Sequence, residues 1–140
     1  MSMNNNVKVY AVGGSIRDEI LGIPNKDFDF SVEAGSFDIM RDYIKSIGGE
    51  IFLSTPEFVT IRARVGKIAA DYVLCRKDGA YSDGRRPDNV TIGTIYDDLA
   101  RRDFTINAIA KDEDGNYIDP FNGIEDINRR IIRCVGNTED

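Results

Sequence analysis

The 140-residue sequence contains no histidine. Without an imidazole, Ser-His-Asp and Cys-His catalysis and every histidine-ligated metal site are excluded, so acid–base or metal chemistry must rest mainly on carboxylates. Cysteine is scarce as well: Cys75 and Cys134 lie far apart and make no Cys-x-x-Cys pair. That argues against a disulfide framework or a zinc site and fits a reducing cytoplasm. An excess of positive charge is also lacking, since 18 Lys+Arg against 24 Asp+Glu leave a formal charge of −6. A protein that coats nucleic acid through its phosphates needs a basic face. The balance still leaves room for a nucleic-acid enzyme, because carboxylates that hold Mg²⁺ contribute negative charge that the ions neutralise. No apolar run approaches the roughly 20 residues that span a bilayer, so no membrane partner is expected. The N-terminus does not have the charged-then-apolar order of a secretory signal.

What is present, 41% hydrophobic and 30% charged residues, is the composition of a globular domain. There is no internal repeat or low-complexity stretch. Residues 7–12 are apolar-rich, with β-branched valines, and read as a strand running into Gly13-Gly14. Residues 15–21 carry Ile16, Ile20 and Leu21 on one side and read as a short helix, with Ser15 near its start and Gly22 and Pro24 ending it. Residues 28–32 read as a strand, and 37–47 as a helix that stops at Gly48-Gly49. Residues 50–53, 58–65 and 67–75 are β-rich, the last two forming a hairpin about Gly66-Lys67. A polar loop is expected over 77–87, a helix over 96–111 and a loop at Asp119-Pro120. Without regular βαβ alternation, this order predicts an α+β domain with helices against a mixed, largely antiparallel sheet.

Two stretches carry chemistry. In the first, Gly13-Gly14-Ser15-Ile16-Arg17-Asp18 puts two glycines between a strand and a helix. Glycine allows close backbone approach to a bulky anion, the helix start offers N–H groups, and Ser15 and Arg17 can add bonds to phosphate. By itself this is also what a tight turn requires. Asp27-Phe28-Asp29-Phe30 follows. On a strand, Asp27 and Asp29 share a face, with α-carbons about 6.6 Å apart at a rise of roughly 3.3 Å per residue, while the phenylalanines face the core. Two such carboxylates can share a pair of divalent ions roughly 3.5–4 Å apart. An isolated Asp-x-Asp is more often just a pair of solvated acids, but a glycine turn and an arginine just upstream point to nucleoside triphosphate chemistry. The three-glycine dinucleotide fingerprint and the phosphate-binding P-loop are both missing.

The second stretch is Arg101-Arg102-Asp103-Phe104-Thr105-Ile106-Asn107-Ala108. On a helix, Asp103 and Asn107 at i and i+4 share one face, where they can bond ribose hydroxyls while the arginines reach a triphosphate. A solvated amphipathic helix would account for the same residues.

Together these residues resemble the head domain of the class II tRNA nucleotidyltransferase (CCA-adding enzyme) and bacterial poly(A) polymerase family. The family's Gly-Gly-x-Val-Arg-Asp, Leu-Gly and Asp-x-Asp elements match Gly13–Asp18 (with Ile16 for valine), Leu21-Gly22 and Asp27-Phe28-Asp29. Its Arg-Arg-Pro matches Arg85-Arg86-Pro87, and its Arg-Arg-Asp-Phe-Thr-x-Asn-Ala signature matches Arg101–Ala108 without a departure. The resemblance runs from about Lys8 to Val135.

It implies a polymerase-β-like nucleotidyltransferase fold, with residues 1–140 a single head domain and the family's neck, body and tail domains lacking. It places the third catalytic carboxylate on Asp71, where many members carry glutamate, and a phosphate-handling arginine on Arg76. The implied chemistry adds nucleotides, without a template, to an RNA 3′ end, with tRNA the expected acceptor and ATP and/or CTP the donor. Asp27, Asp29 and Asp71 would ligate two Mg²⁺ ions, with Mn²⁺ as a substitute. Gly13, Gly14, Ser15, Arg17, Arg76, Arg102, Asp103 and Asn107 would bind the nucleotide. A second chain could supply base selection and RNA grip. Two other classes stay open at this point: a non-catalytic nucleotide-binding module that keeps the fold, and nucleotidyl transfer to an acceptor other than RNA.

Overall fold

A computed structural model describes residues 7–24, 28–77 and 92–135. Strands β1 (Lys8–Val12), β2 (Phe28–Glu33), β3 (Glu50–Thr55), β4 (Thr60–Val65), β5 (Ile68–Leu74), β6 (Ala110–Lys111) and β7 (Tyr117–Ile118) form one seven-stranded sheet in the order β3-β4-β5-β2-β1-β6-β7. Every neighbouring pair is antiparallel except β2 and β5. With four helices, α1 (Gly14–Leu21), α2 (Phe37–Ser46), α3 (Ile95–Ala100) and α4 (Gly123–Arg129), this is the expected α+β arrangement. None of these helices is long and apolar enough to cross a membrane.

Local chemistry sets the element ends. The α1 helix closes on left-handed Gly22, with Ile23 N–H donating back to Asp18 C=O at 2.8 Å, a Schellman-type stop. Ser36 caps α2 by accepting from Ile39 N–H at 3.1 Å. A reciprocal capping box between Thr94 and Asp97 starts α3. The Asp119 carboxylate receives Gly123 N–H at 2.6 Å and Ile124 N–H at 3.0 Å, so it starts α4.

Alternation along the strands divides the core. On one face Val32, Ala70, Tyr72 and Leu74 pack with Met40 and Ile44 of α2, and Phe28 and Phe30 join them. Burying each large aliphatic side chain there is worth about 1.5–3 kcal/mol. On the other face Tyr10 and Val12 pack with Ile95 and Leu99 of α3. A third cluster of Ile16, Ile109 and Ile127 ties α1 and α4 to the segment that follows α3.

The helix expected over 96–111 is not formed as one element. The α3 helix ends at Ala100, a bend follows, Thr105–Asn107 makes a single 3₁₀ turn, and Ala110–Lys111 is strand. Tertiary contacts overrule helix propensity here. Phe104 bridges Cys134, Thr105 N–H donates to Arg133 C=O at 3.0 Å, and Thr105 Oγ1 donates to buried Asp126 at 2.6 Å. Residues 56–58 form a 3₁₀ turn before β4 and are not part of the strand expected from 58.

Candidate active site

The end of β1 defines the site. Gly13 adopts φ 76°, ψ −148°, a backbone region that is essentially restricted to glycine. A Cβ on Gly13 would lie 3.5 Å from Asp29 Oδ2 and 3.7 Å from Arg102 Nη1. The bare turn thus leaves open the space between a carboxylate and a guanidinium. Around it Gly13, Gly14, Arg17, Asp29, Arg101, Arg102, Asp103 and Asn107 line a cavity of about 390 Å³. Three arginines and two aspartates line it, and the arginines are paired from behind by Asp18 and Asp98.

Asp29 projects from β2 on the face opposite the phenylalanines. The parallel register sets Asp29 beside Asp71 of β5, on strands about 4.8 Å apart and therefore on the same face. The next residue on that face, Ser31, is fully buried and donates from Oγ to Asp98 Oδ2 at 2.9 Å. Asp98 projects from α3 and is the anchor of the arginine wall. It accepts from Arg102 Nη2 at 2.8 Å and from Arg101 Nη2 at 3.2 Å. Burial of this carboxylate is offset by three donors, one of which, Ser31, lies two residues from Asp29 on the same strand.

Arg17, on α1, also lines the cavity. Its Nη1 donates to Asn107 Oδ1 at 3.1 Å and its Nε to Asp18 at 3.2 Å. Asp103 and Asn107 therefore do line one cavity, but not as neighbours on a helix face. Asp103 sits in the exposed bend, with its C=O accepting from Val135 N–H at 3.0 Å, and Asn107 ends the 3₁₀ turn. The far end of α1 is fastened by Glu19 Oε2, which accepts from Lys111 Nζ at 2.6 Å and Tyr117 Oη at 2.8 Å. Those bonds, the Lys111 one foremost, hold the Glu19 carboxyl below its ordinary range.

Other expected site residues fall differently. Ser15 is buried and turns its hydroxyl to Val12 C=O at 3.2 Å, so it braces the turn and does not line the cavity. Arg76 lies just past β5, half-buried, bridged to Ile92 and away from the cavity lining. Asp27 and Arg85-Arg86-Pro87 lie outside the described residues.

Two contributors escaped the sequence reading. Asp98 stands three and four residues before Arg101 and Arg102, a helical acid–base spacing that was there to be noticed. Arg62 Nη1 donates to Asp71 Oδ1 at 2.9 Å. Their pairing follows from the two-residue turn, which sets Val65 opposite Ile68 and hence Arg62 opposite Asp71. With Arg62 48% and Asp71 39% exposed, the pair adds about 0–1 kcal/mol to stability.

Among the described residues no group of three or more His, Cys, Asp or Glu side chains is placed to hold a metal ion. The donor set nonetheless fits Mg²⁺ or Mn²⁺. Asp29 and Asp71 are adjacent, partly exposed oxygen donors, and Mg²⁺ is commonly held by only one or two carboxylates together with water and substrate phosphates.

Comparison with known proteins bears on this geometry. Residues 9–133 match the family model of the poly A polymerase head domain. The CCA-adding enzyme of Geobacillus stearothermophilus is 44% identical over 131 residues, which is 93% of this chain and 31% of that enzyme. The one from Oceanobacillus iheyensis is 37% identical over 139 residues, 99% of this chain and 34% of the other. The chain thus spans about a third of the length of these curated relatives. Among solved structures, the Bacillus stearothermophilus CCA-adding enzyme in complex with CTP superposes with a TM-score of 0.75 at 37% identity, covering 94% of this chain and 30% of that one. A tRNA nucleotidyltransferase complexed with a primer tRNA and an incoming ATP analog gives 0.71 at 31% identity, over 92% and 36% of the two chains.

Proposed function

The chain belongs to the poly A polymerase head-domain family, and on that premise we propose that it is the nucleotidyl-transferring head of a template-independent enzyme that extends a tRNA 3′ end from CTP and ATP. The observation that carries this reading is the glycine turn that opens a cavity between Asp29 on one side and Arg102 on the other. Such a cavity presents a carboxylate and a cationic wall to one polyanion that arrives with its metal. The relatives' complexes with CTP, with an ATP analog and with primer tRNA support the choice of substrates.

In this reading the triphosphate lies along the Gly13-Gly14 turn, where the missing side chains permit contact with the backbone. The α1 N-terminus faces it with N–H groups and the positive end of its dipole. Arg17, Arg101 and Arg102 neutralise the phosphates. Asp98 fixes the last two in advance, so little ordering remains to be done on binding. Asp103 and Asn107, which line the same cavity, would bond the ribose hydroxyls.

Asp29 and Asp71, with Asp27 of the same Asp-Phe-Asp element, would hold Mg²⁺. When bound, two such ions lower the pKa of the attacking 3′-hydroxyl and stabilise charge on the departing pyrophosphate. The protein's own share is placement: it sets primer and nucleotide in line and holds donors where charge develops.

The test is incorporation of labelled CTP or ATP into a tRNA lacking its 3′ end, with Mg²⁺ or Mn²⁺, beside Asp29→Ala. Incorporation that the substitution abolishes supports the reading. Incorporation that survives it would place the chemistry elsewhere.

A further inference from the structure

The rung of residues through Asp29 does not end at Asp71. Register carries it from Val12 on β1 through Asp29 and Asp71 to Arg62 on β4. Alternation along β4 buries Ile61 and Ala63 and leaves Arg62 and Arg64 on the opposite, exposed face. The two arginines on that face are held differently. Arg64 rests its guanidinium 5.2 Å from the centre of the Phe52 ring. Arg62 instead donates to Asp71 Oδ1 at 2.9 Å.

This contact puts a positive charge on one of the two described carboxylates facing the proposed metal position. A divalent cation on Asp71 would share a carboxylate whose Oδ1 already accepts from Arg62, and its charge would repel the nearby guanidinium. The pair is nearly half-exposed on both sides, so water screens it and its exchange for a metal ion is easy. The single charge of an arginine can therefore be displaced by the double charge of a metal ion, but only against a measurable competition.

We infer that Arg62 is the resident counter-ion of Asp71 and competes with the divalent cation, so that it raises the metal concentration at which the site fills. The inference rests on the reading of Asp71 as a metal ligand. Arg62 acts through Asp71 and has no reacting atom of its own, so its role is to position and to gate occupancy. Removing its charge favours metal binding whether the guanidinium swings away or stays nearby when the ion arrives.

The experiment is a Mn²⁺ titration of the whole chain with and without CTP, free Mn²⁺ being followed by electron paramagnetic resonance. Wild type is compared with Arg62→Leu, Arg62→Lys and Asp71→Asn, with Arg62→Gln in reserve should the leucine variant fold poorly. Arg62→Leu is expected to bind Mn²⁺ about two- to fivefold more tightly, the size of one exposed charge pair. Arg62→Lys should stay close to wild type, and Asp71→Asn should bind more weakly. If Asp71→Asn weakens binding but Arg62→Leu does not tighten it, the inference fails and the assignment of Asp71 stands. If Asp71→Asn leaves Mn²⁺ affinity unchanged, the assignment itself fails and the inference goes with it.

Discussion

Asp98 and Arg102 stand four residues apart, with 2.8 Å between Oδ2 and Nη2, and the aspartate side chain is only 4% exposed. The same carboxylate holds Arg101 and Ser31. It therefore joins the helix beneath the arginine wall to the strand that carries Asp29. Replacing it with alanine leaves a buried hydroxyl and two guanidiniums without their acceptor. Because the arginines are about 30% exposed, the loss should fall below that of a fully buried pair, at about 2–3 kcal/mol. Urea unfolding of Asp98→Ala should show a lower midpoint at an unchanged slope. A midpoint equal to wild type would mean that the arginines find other partners.

Gly13→Ala tests the turn itself. Its φ of 76° with ψ −148° costs a residue with a side chain about 1–3 kcal/mol. The new methyl would also enter the gap between Asp29 and Arg102. The expected result is a modest fall in melting temperature and a disproportionate loss of CTP and ATP affinity, read by isothermal titration. Equal affinity in wild type and variant would show that the phosphates do not pass through this gap.

How far the sequence could be read depends on how local each relationship is. The Asp27-Phe28-Asp29-Phe30 alternation needed only the two-residue period of a strand, and Phe28 and Phe30 do pack into the core while Asp29 faces away. The Asp29–Asp71 pairing was not legible in local spacing. It depends on β2 lying parallel to β5, with α2, β3 and β4 intervening in the chain. The misread helix at 96–111 failed for a related reason. Leu99 and Ile109 are both buried at a spacing a helix tolerates, but they belong to different clusters. Partners far along the chain, Cys134 and Asp126, pull Phe104 and Thr105 out of register.

Gly123 opens α4 hard against that irregular segment. A Cβ there would lie 2.0 Å from Thr105 C=O oxygen and 2.9 Å from Ile109 Cγ1, a clash that only backbone movement can relieve. Gly123→Ala should therefore push α4 and the 3₁₀ turn apart, at about 1–3 kcal/mol as for overpacking. Asn107 ends that turn and bonds Arg17, so nucleotide binding should weaken although Gly123 lies outside the cavity lining. A variant with wild-type stability and nucleotide affinity would show that the turn and α4 can separate without cost.

Acid should find the weak point at Asp126. Its carboxylate is buried, accepts from Thr105 Oγ1 at 2.6 Å and from Arg133 Nε at 3.2 Å, and is held below its ordinary range by these bonds, that of Thr105 first. A carboxyl that is more acidic when folded contributes stability in full above its unfolded pKa of about 3.9, and loses it as pH falls from there through the lowered folded value. Asp126→Asn removes that titration. The variant should be less stable than wild type at pH 7, and the gap should narrow steadily below about pH 4, measured by urea unfolding across that range. A gap that stays constant with pH would mean that Asp126 contributes through packing and not through its charge.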